Sequence, residues 1–325
     1  MKRYEKFVLG AKNGITFEIS EGKSKRYEKF VLEAENDGIS FEISEGISGE
    51  LIIRAHNIAT VNIYSKNYVN PPIPRGYEHV WGTVNSGFVI ERCFDGSQFV
   101  WIPVGCLDSN GTLDGENFSE KFGRRNYYKD VEFSYDEFHE ALNGELLEQL
   151  ESVKKYGGFY ISRYNISIRA GKPQSVKGVY PLRGIDYYEA KKIASTIEDN
   201  EEVKSHLTFG AEYDSILEWF IKTEVKTRAE ITEDSTEWGN YCNTECSPKA
   251  LDKTGSRVKF YVNNICDFAG NVAEWTQEEK GTGFRVARGG TYGCYGYSDP
   301  VATRIDSHPL FVVHNFGLRA TLCIK

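Results

Sequence analysis

Two stretches of this sequence carry residues whose types and spacing could do chemistry. In the first, Asp267, Gly270, Val272 and Glu274 follow one another at short intervals around Asn271. Two carboxylates and two main-chain carbonyls in so tight a loop form the hard-oxygen set that calcium takes. The competing reading is a turn in which Asp267 and Asn271 bond local amides. The second stretch is residues 291–315, TYGCYGYSDPVATRIDSHPLFVVHN, which contains no Glu, Lys, Gln, Met or Trp. Average usage would place about five such residues in a run of this length. Every residue present belongs to the set encoded by codons of the form N-N-C. Mutagenesis directed at the adenines of Asn AAC codons produces that set. Tyr, His and short polar side chains without long flexible amines also make a paratope-like mixture.

Other candidates are poorer. Cys242-x-x-x-Cys246 is half a zinc site with no second pair nearby. Residues 107–116, acidic and Gly-rich, lack the spacing of an EF-hand and read as a surface loop.

These residues need elements to hold them. A chain of 325 residues with 40% hydrophobic content can bury a core. Aromatic content is 14%, with 20 Tyr and 19 Phe, which suits a binding surface. The net charge of −8 argues against nonspecific nucleic-acid binding. No apolar run reaches membrane-spanning length, and the first residues lack the apolar core of a secretory signal. Seven Cys at irregular spacing read as reduced thiols.

Residues 3–22 and 26–46 are a tandem repeat, RYEKFVLGAKNGITFEISEG and RYEKFVLEAENDGISFEISEG. Each copy predicts a β-hairpin around its Asn-Gly or Asp-Gly turn. Pro71-Pro72-Ile-Pro74 marks a linker, so residues 1–70 form a β-rich N-terminal region and residues 76–325 the main domain. That domain opens on a hairpin around Asp95-Gly96. Apolar spacing predicts helices from Tyr135 to Tyr156, from Tyr187 to Ile197 with Asp186 as N-cap, and from Ala211 through Phe220.

One resemblance runs through the main domain. Gly270-Asn-Val-Ala-Glu-Trp-Thr276, Arg288-Gly-Gly-Thr-Tyr292, Ala302-Thr-Arg304 and Phe316-Gly-Leu-Arg-Ala320 stand in the order seen in formylglycine-generating enzymes and their sulfatase-modifying relatives. Upstream, Phe99-Val-Trp-Ile-Pro-Val-Gly105, Gly158-Phe-Tyr-Ile-Ser-Arg-Tyr164 and Ser205-His-Leu-Thr-Phe-Gly-Ala-Glu-Tyr213 resemble further motifs of that family. Each is weak alone; their order is the strong signal. The resemblance implies an α+β, C-type lectin-like fold of the formylglycine-generating-enzyme type with much irregular chain. It implies structural calcium at Asp267, Gly270, Val272 and Glu274. The family's two copper-binding thiols would fall on Cys294 and Asp299. A carboxylate cannot complete a bis-thiolate copper site, so neither copper nor oxidase activity is expected.

The N-N-C composition of residues 291–315, near the C-terminus and between RGG and FGLRA flanks, resembles the variable proteins of diversity-generating retroelements. The expected function is therefore non-catalytic display of a diversified face. Its ligand-binding residues are Tyr292, Cys294, Tyr295, Tyr297, Ser298, Asp299, Ile305, Asp306, His308, Phe311, Val313 and His314. Arg288, Gly289, Gly290, Arg304, Gly317 and Arg319 are assigned to the scaffold. The expected partner is a protein or glycan ligand, on another cell surface, with no nucleic acid and no membrane insertion. The implied setting is a prophage or its bacterial host, with cytoplasmic synthesis and display on a virion or cell surface. Two other classes stay open: a formylglycine-type oxidase using Cys294, and a structural subunit whose working part is the N-terminal repeat.

Overall fold

The computed structural model describes residues 71–104, 144–245, 250–281 and 283–325. It also describes the strand backbones of the first 70 residues and of residues 138–139. The chain divides into two compact units, Met1–Tyr68 with Ser109–Thr112, and Val69–Asp108 with Leu113–Lys325. Residues 107–116 and Cys246 lie outside the described residues.

In the first unit the repeats pair differently from the expectation. β1 (Ile15–Phe17), from the first copy, pairs antiparallel with β2 (Phe30–Leu32), from the second. β3 (Ser40–Glu45) pairs with β4 (Leu51–His56), and β5 (Ile63–Tyr64) takes the other edge of β2. A two-stranded hairpin is marginal in water. Pairing between copies makes Phe30–Leu32 a central strand with both edges filled.

The second unit is mixed α+β, mostly sheet with few helices. One six-stranded sheet runs in the order β13-β20-β10-β8-β7-β6. It is built from β6 (Tyr77–Trp81), β7 (Val89–Arg92), β8 (Gln98–Pro103), β10 (Gly158–Ser162), β13 (Val203–Leu207) and β20 (Ala320–Ile324). The hairpin expected around Asp95-Gly96 is β7–β8. A second sheet joins β16 (Ala273–Lys280), β17 (Phe284–Arg288), β18 (Arg304–Ser307) and β19 (Phe316–Gly317), with β9 (Phe138–His139) on β16. Two-stranded pieces complete the unit: β11 (Ser167–Arg169) with β12 (Lys172–Gln174), and β14 (Tyr261–Val262) with β15 (Ile265–Cys266).

The helices are α1 (Gly144–Tyr156), α2 (Tyr187–Ser195), α3 (Gly210–Lys222) and the short α4 (Arg228–Thr232). Asp186 caps α2, its side chain accepting from the Glu189 amide at 2.8 Å. The helix expected from Tyr135 begins only at Gly144. Phe138 and His139 instead pair with Lys280 and Glu279, so a sheet edge outcompetes the helical apolar spacing there. Phe159 and Ile161 of β10, Val100 and Ile102 of β8, and Phe209, Ile216 and Phe220 around α3 share one buried core.

Four buried charges tie α3 to the second sheet. Arg288 gives Nη1 to Glu278 Oε1 at 2.7 Å and Nη2 to Asp214 Oδ1 at 2.9 Å. Arg304 gives Nε to Glu278 Oε2 at 2.8 Å and Nη2 to Asp214 Oδ2 at 2.9 Å. Each of the four carboxylate oxygens thus meets one guanidinium nitrogen, and the formal charges cancel. Room for the square comes from Gly210, where a Cβ would lie 2.7 Å from Glu278 Oε1. Asp214→Ala would leave two buried guanidiniums sharing the single carboxylate of Glu278, a change that costs about 3–5 kcal/mol. Urea unfolding should show that loss; a change below about 1 kcal/mol, the scale of an exposed pair, would rule the square out as a structural tie.

Candidate functional site

The run of residues 291–315 leaves β17 through Gly289 and Gly290, which hold φ of +98° and +71°. Such angles suit glycine. At Gly290 a Cβ would also meet Asp299 O at 2.5 Å and a ring carbon of Tyr241 at 2.7 Å.

From there the chain is held mainly through its backbone. Asn271 O accepts from the Tyr292 amide at 3.1 Å, and Cys294 O accepts from the Cys242 amide at 2.9 Å. Gly296 O accepts from the Ser235 amide at 3.0 Å, and its N–H donates to Asn243 Oδ1 at 3.2 Å. After β18, Pro309 O accepts from the Tyr187 amide at 3.1 Å, and His314 O accepts from Arg183 Nη1 at 3.1 Å. A main-chain tie of this kind leaves the side chain free to differ, except at Gly296, where a Cβ would lie 2.4 Å from the Thr236 nitrogen.

The side chains separate into two sets. Arg288, Arg304 and Arg319 are buried, as are Thr291, Pro300, Val301, Ala302 and Pro309. A Cβ on Gly317 would collide with Leu182 O. None of the residues expected to bind ligand is buried. Tyr295, Tyr297, Ser298, Phe311 and His314 are exposed, and Tyr292, Cys294, Asp299, Ile305, Asp306, His308 and Val313 are partly so.

These residues form two groups rather than one cluster. In the first, Tyr295 and Tyr297 stack with centroids 5.3 Å apart, and Ser298 Oγ donates to Asp299 Oδ2 at 2.8 Å. In the second, His308 lies 5.1 Å from Phe311 and 6.3 Å from Phe284. Asp306 accepts from Lys280 Nζ at 2.8 Å. Between the described side chains of the two groups there is no ring contact, hydrogen bond or ion pair. Gly293 and Asn315 lie close to each other, a Cβ at Gly293 falling 3.5 Å from the Asn315 side-chain Nδ2.

Sequence reasoning missed Leu310 and Val312, 62% and 65% exposed on either side of Phe311 at 63%. Their membership of the N-N-C run could have found them. Phe284, from outside the run, could not have been found that way.

Cys294 is half-buried, with Sγ 3.2 Å from Thr291 Oγ1. Burial raises its pKa and the Asp299 charge adds to this, against the Thr291 hydrogen bond. A thiol held protonated is a poor nucleophile and a poor metal ligand.

The oxygen-rich turn lies deeper. Asp267 is buried at φ +54° and accepts from the Gly255 amide at 2.7 Å through Oδ2, while its Oδ1 has no hydrogen-bond partner. Glu274 Oε1 accepts from Arg319 Nε at 2.6 Å and from Asn165 Nδ2 at 2.7 Å. Asn271 bonds Asn240 and the Asp252 amide, both at 3.0 Å. No group of three or more His, Cys, Asp or Glu among the described residues could hold a metal. The donor that would suit calcium here is the unpartnered Asp267 Oδ1, while one Glu274 oxygen is committed to Arg319 and Asn165.

Burial pushes Asp267 up to about 6, against the Gly255 amide and Arg319. Burial likewise pushes Glu274 up to about 7, against Arg319 and Asn165. Unfolded carboxylates titrate near pH 4, so between about pH 4 and 7 the folded chain binds protons that the unfolded chain has released. The stabilisation from these groups is complete at the acid end and is lost as the pH climbs through that window. Asn tolerates positive φ as well as Asp does. In EDTA, Asp267→Asn should therefore raise the melting temperature at pH 8 and flatten its fall between pH 5 and 8. An unchanged or steeper fall would refute the assignment.

No family model matches this chain, and no curated protein matches it. Among solved structures it is similar to Treponema denticola variable protein 1, at 16% identity and a TM-score of 0.37, covering 52% of this chain and 85% of that one. It is also similar to CarF, at 14% identity and a TM-score of 0.35, covering 52% and 87%.

Proposed function

We propose that this chain is a non-catalytic ligand-binding protein that displays residues 291–315 as a diversified face. The scaffold is read as a C-type lectin-like domain of the formylglycine-generating-enzyme type, and the ligand as a protein or glycan. The single observation that carries this reading is the division of the run into two sets. Every side chain assigned to binding reaches solvent, while Arg304, in the middle of the same run, is locked into the buried charge square. Such a face can vary without touching the core, where changes cost a few kcal/mol each.

The oxidase reading has no such support. Its second thiol position is Asp299, and Cys294 is tied to Thr291 and kept protonated.

Replacing Tyr295, Tyr297, Phe311 and His314 together with Ser should leave the melting temperature within about 4 °C, since exposed changes are small. Trp275→Ala, at a fully buried ring whose Nε1 donates to Ile185 O at 3.1 Å, should cost about 3–5 kcal/mol. Unfolding of the quadruple Ser variant would sink the display reading. So would flanking DNA lacking a near-copy of the codons for residues 291–315 beside a reverse-transcriptase gene.

Calcium belongs to the same reading as a structural ion, taken by Asp267 Oδ1 with the Gly270 and Val272 carbonyls and Glu274. A ligand bound only to the folded state stabilises it by mass action. EDTA should lower the melting temperature of calcium-loaded protein, and Asp267→Ala should abolish the response. Identical melting curves with and without chelator would exclude the ion.

A further inference from the structure

Several outer strands of the two main sheets are protected against pairing with another chain. Along β13, the Asn200 amide bonds Val203 O at 2.9 Å and the Ser205 amide bonds Glu198 O at 2.8 Å, so the preceding loop covers that edge. On β19, Phe316 O accepts from the Gly184 amide at 2.9 Å. β6 carries a register break between His79 and Trp81. Bulges and covering loops blunt the pairing tendency of a sheet edge.

β18 has neither device, and it is the strand that residues 291–315 contribute. It ends its sheet, runs against β17 in unbroken register and contains no Pro or Lys. Ile305, Asp306 and Ser307 are partly exposed, and no described residue bonds their main chain from the side away from β17. Val286 O accepts from Thr276 Oγ1 of β16 at 3.0 Å, so Arg285 and Ala287 turn to β18 and their partners Ser307 and Ile305 turn to β17. By alternation the Asp306 amide and carbonyl face outward. Past Ser307 the His308 ring is in contact with Phe284 and Phe311, and Leu310 and Val312 are exposed on either side of Phe311 in the chain.

We propose that an extended segment of a partner protein binds this face by adding to the sheet as a strand along β18, with its apolar side chains against Phe284, Phe311 and Val312. The inference rests on the reading of residues 291–315 as a binding face, and it selects protein over glycan as the ligand. An incoming strand supplies amides and carbonyls at the spacing of the bare edge, whereas sugar hydroxyls do not repeat at that spacing. Main-chain bonds of this kind give affinity that does not depend on which side chains the strand carries, and the neighbouring side chains give specificity. A diversified run can therefore keep the bonds while changing the choice of partner.

The probes are linear peptides selected on the full chain from a random phage-displayed library, then synthesised with a fluorophore for anisotropy; a mixed glycan array is the comparator. Peptides should be enriched, and no glycan should bind more tightly than they do. N-methylation of every second peptide amide should weaken binding about tenfold, and of the intervening amides by less than about twofold, because a strand bonds each neighbour through alternate residues. In the protein, Asp306→Ala keeps the outward amide and should bind within about twofold. Asp306→Pro removes that amide at an edge position where Pro is tolerated, and should weaken binding about tenfold. No enriched peptide, preference for a glycan, N-methyl effects without alternation, or equal loss in both Asp306 variants would overturn the proposal; the N-methyl arm holds even where Asp306→Pro fails to fold. Phe311→Ser with Val312→Ser separates the two readings. If that variant weakens binding while Asp306→Pro and N-methylation do not, strand addition is wrong and the binding face stands. If none of them weakens it, both fail.

Discussion

The square formed by Arg288, Arg304, Asp214 and Glu278 is the constraint on which the rest of the structure depends. Burying a lone charge is prohibitive, and even a paired one gains little over a well-packed apolar residue. What the square supplies is position. Two guanidiniums present donors in fixed directions, and each of the four carboxylate oxygens meets one of them at 2.7–2.9 Å. A shift of α3 against β16, or of β18 against β17, would break bonds that water cannot replace.

That rigidity bears on the proposed function because Arg288 and Arg304 bracket the first half of residues 291–315. Between them the chain turns through Gly289 and Gly290 and is held to its neighbours chiefly by amides and carbonyls. Side chains such as Tyr295 and Tyr297 are left to touch solvent and each other. A fold that fixes a loop by its backbone separates the question of shape from the question of what the loop displays.

Arg319 makes the second buried charge centre. Its guanidinium meets Glu274 and the Ser162, Arg163 and Cys266 carbonyls, joining β16 and β15 to β10. Asp267 lies beside this centre with one oxygen unpartnered, and its elevated pKa follows from that burial. The turn is therefore a place where stability answers to protons.

Local rules made much of this legible in the sequence. Asp95-Gly96 specified a hairpin, Asp186 capped α2, and the apolar spacing from Ala211 to Phe220 specified α3. The absence of five residue types marked residues 291–315 as unusual, and the RGG and FGLRA flanks marked scaffold arginines. Only the tertiary structure decided where those arginines point. Asp214 and Glu278 read as ordinary polar residues of a helix and a strand, and nothing nearby in the sequence tells that both are buried against Arg288 and Arg304. The same holds for Phe138, whose helical spacing lost to a strand pairing with Lys280, and for Phe30, whose sheet partners come from other segments. Spacing reports which face a residue takes within its own element. Which element arrives opposite that face depends on the whole chain.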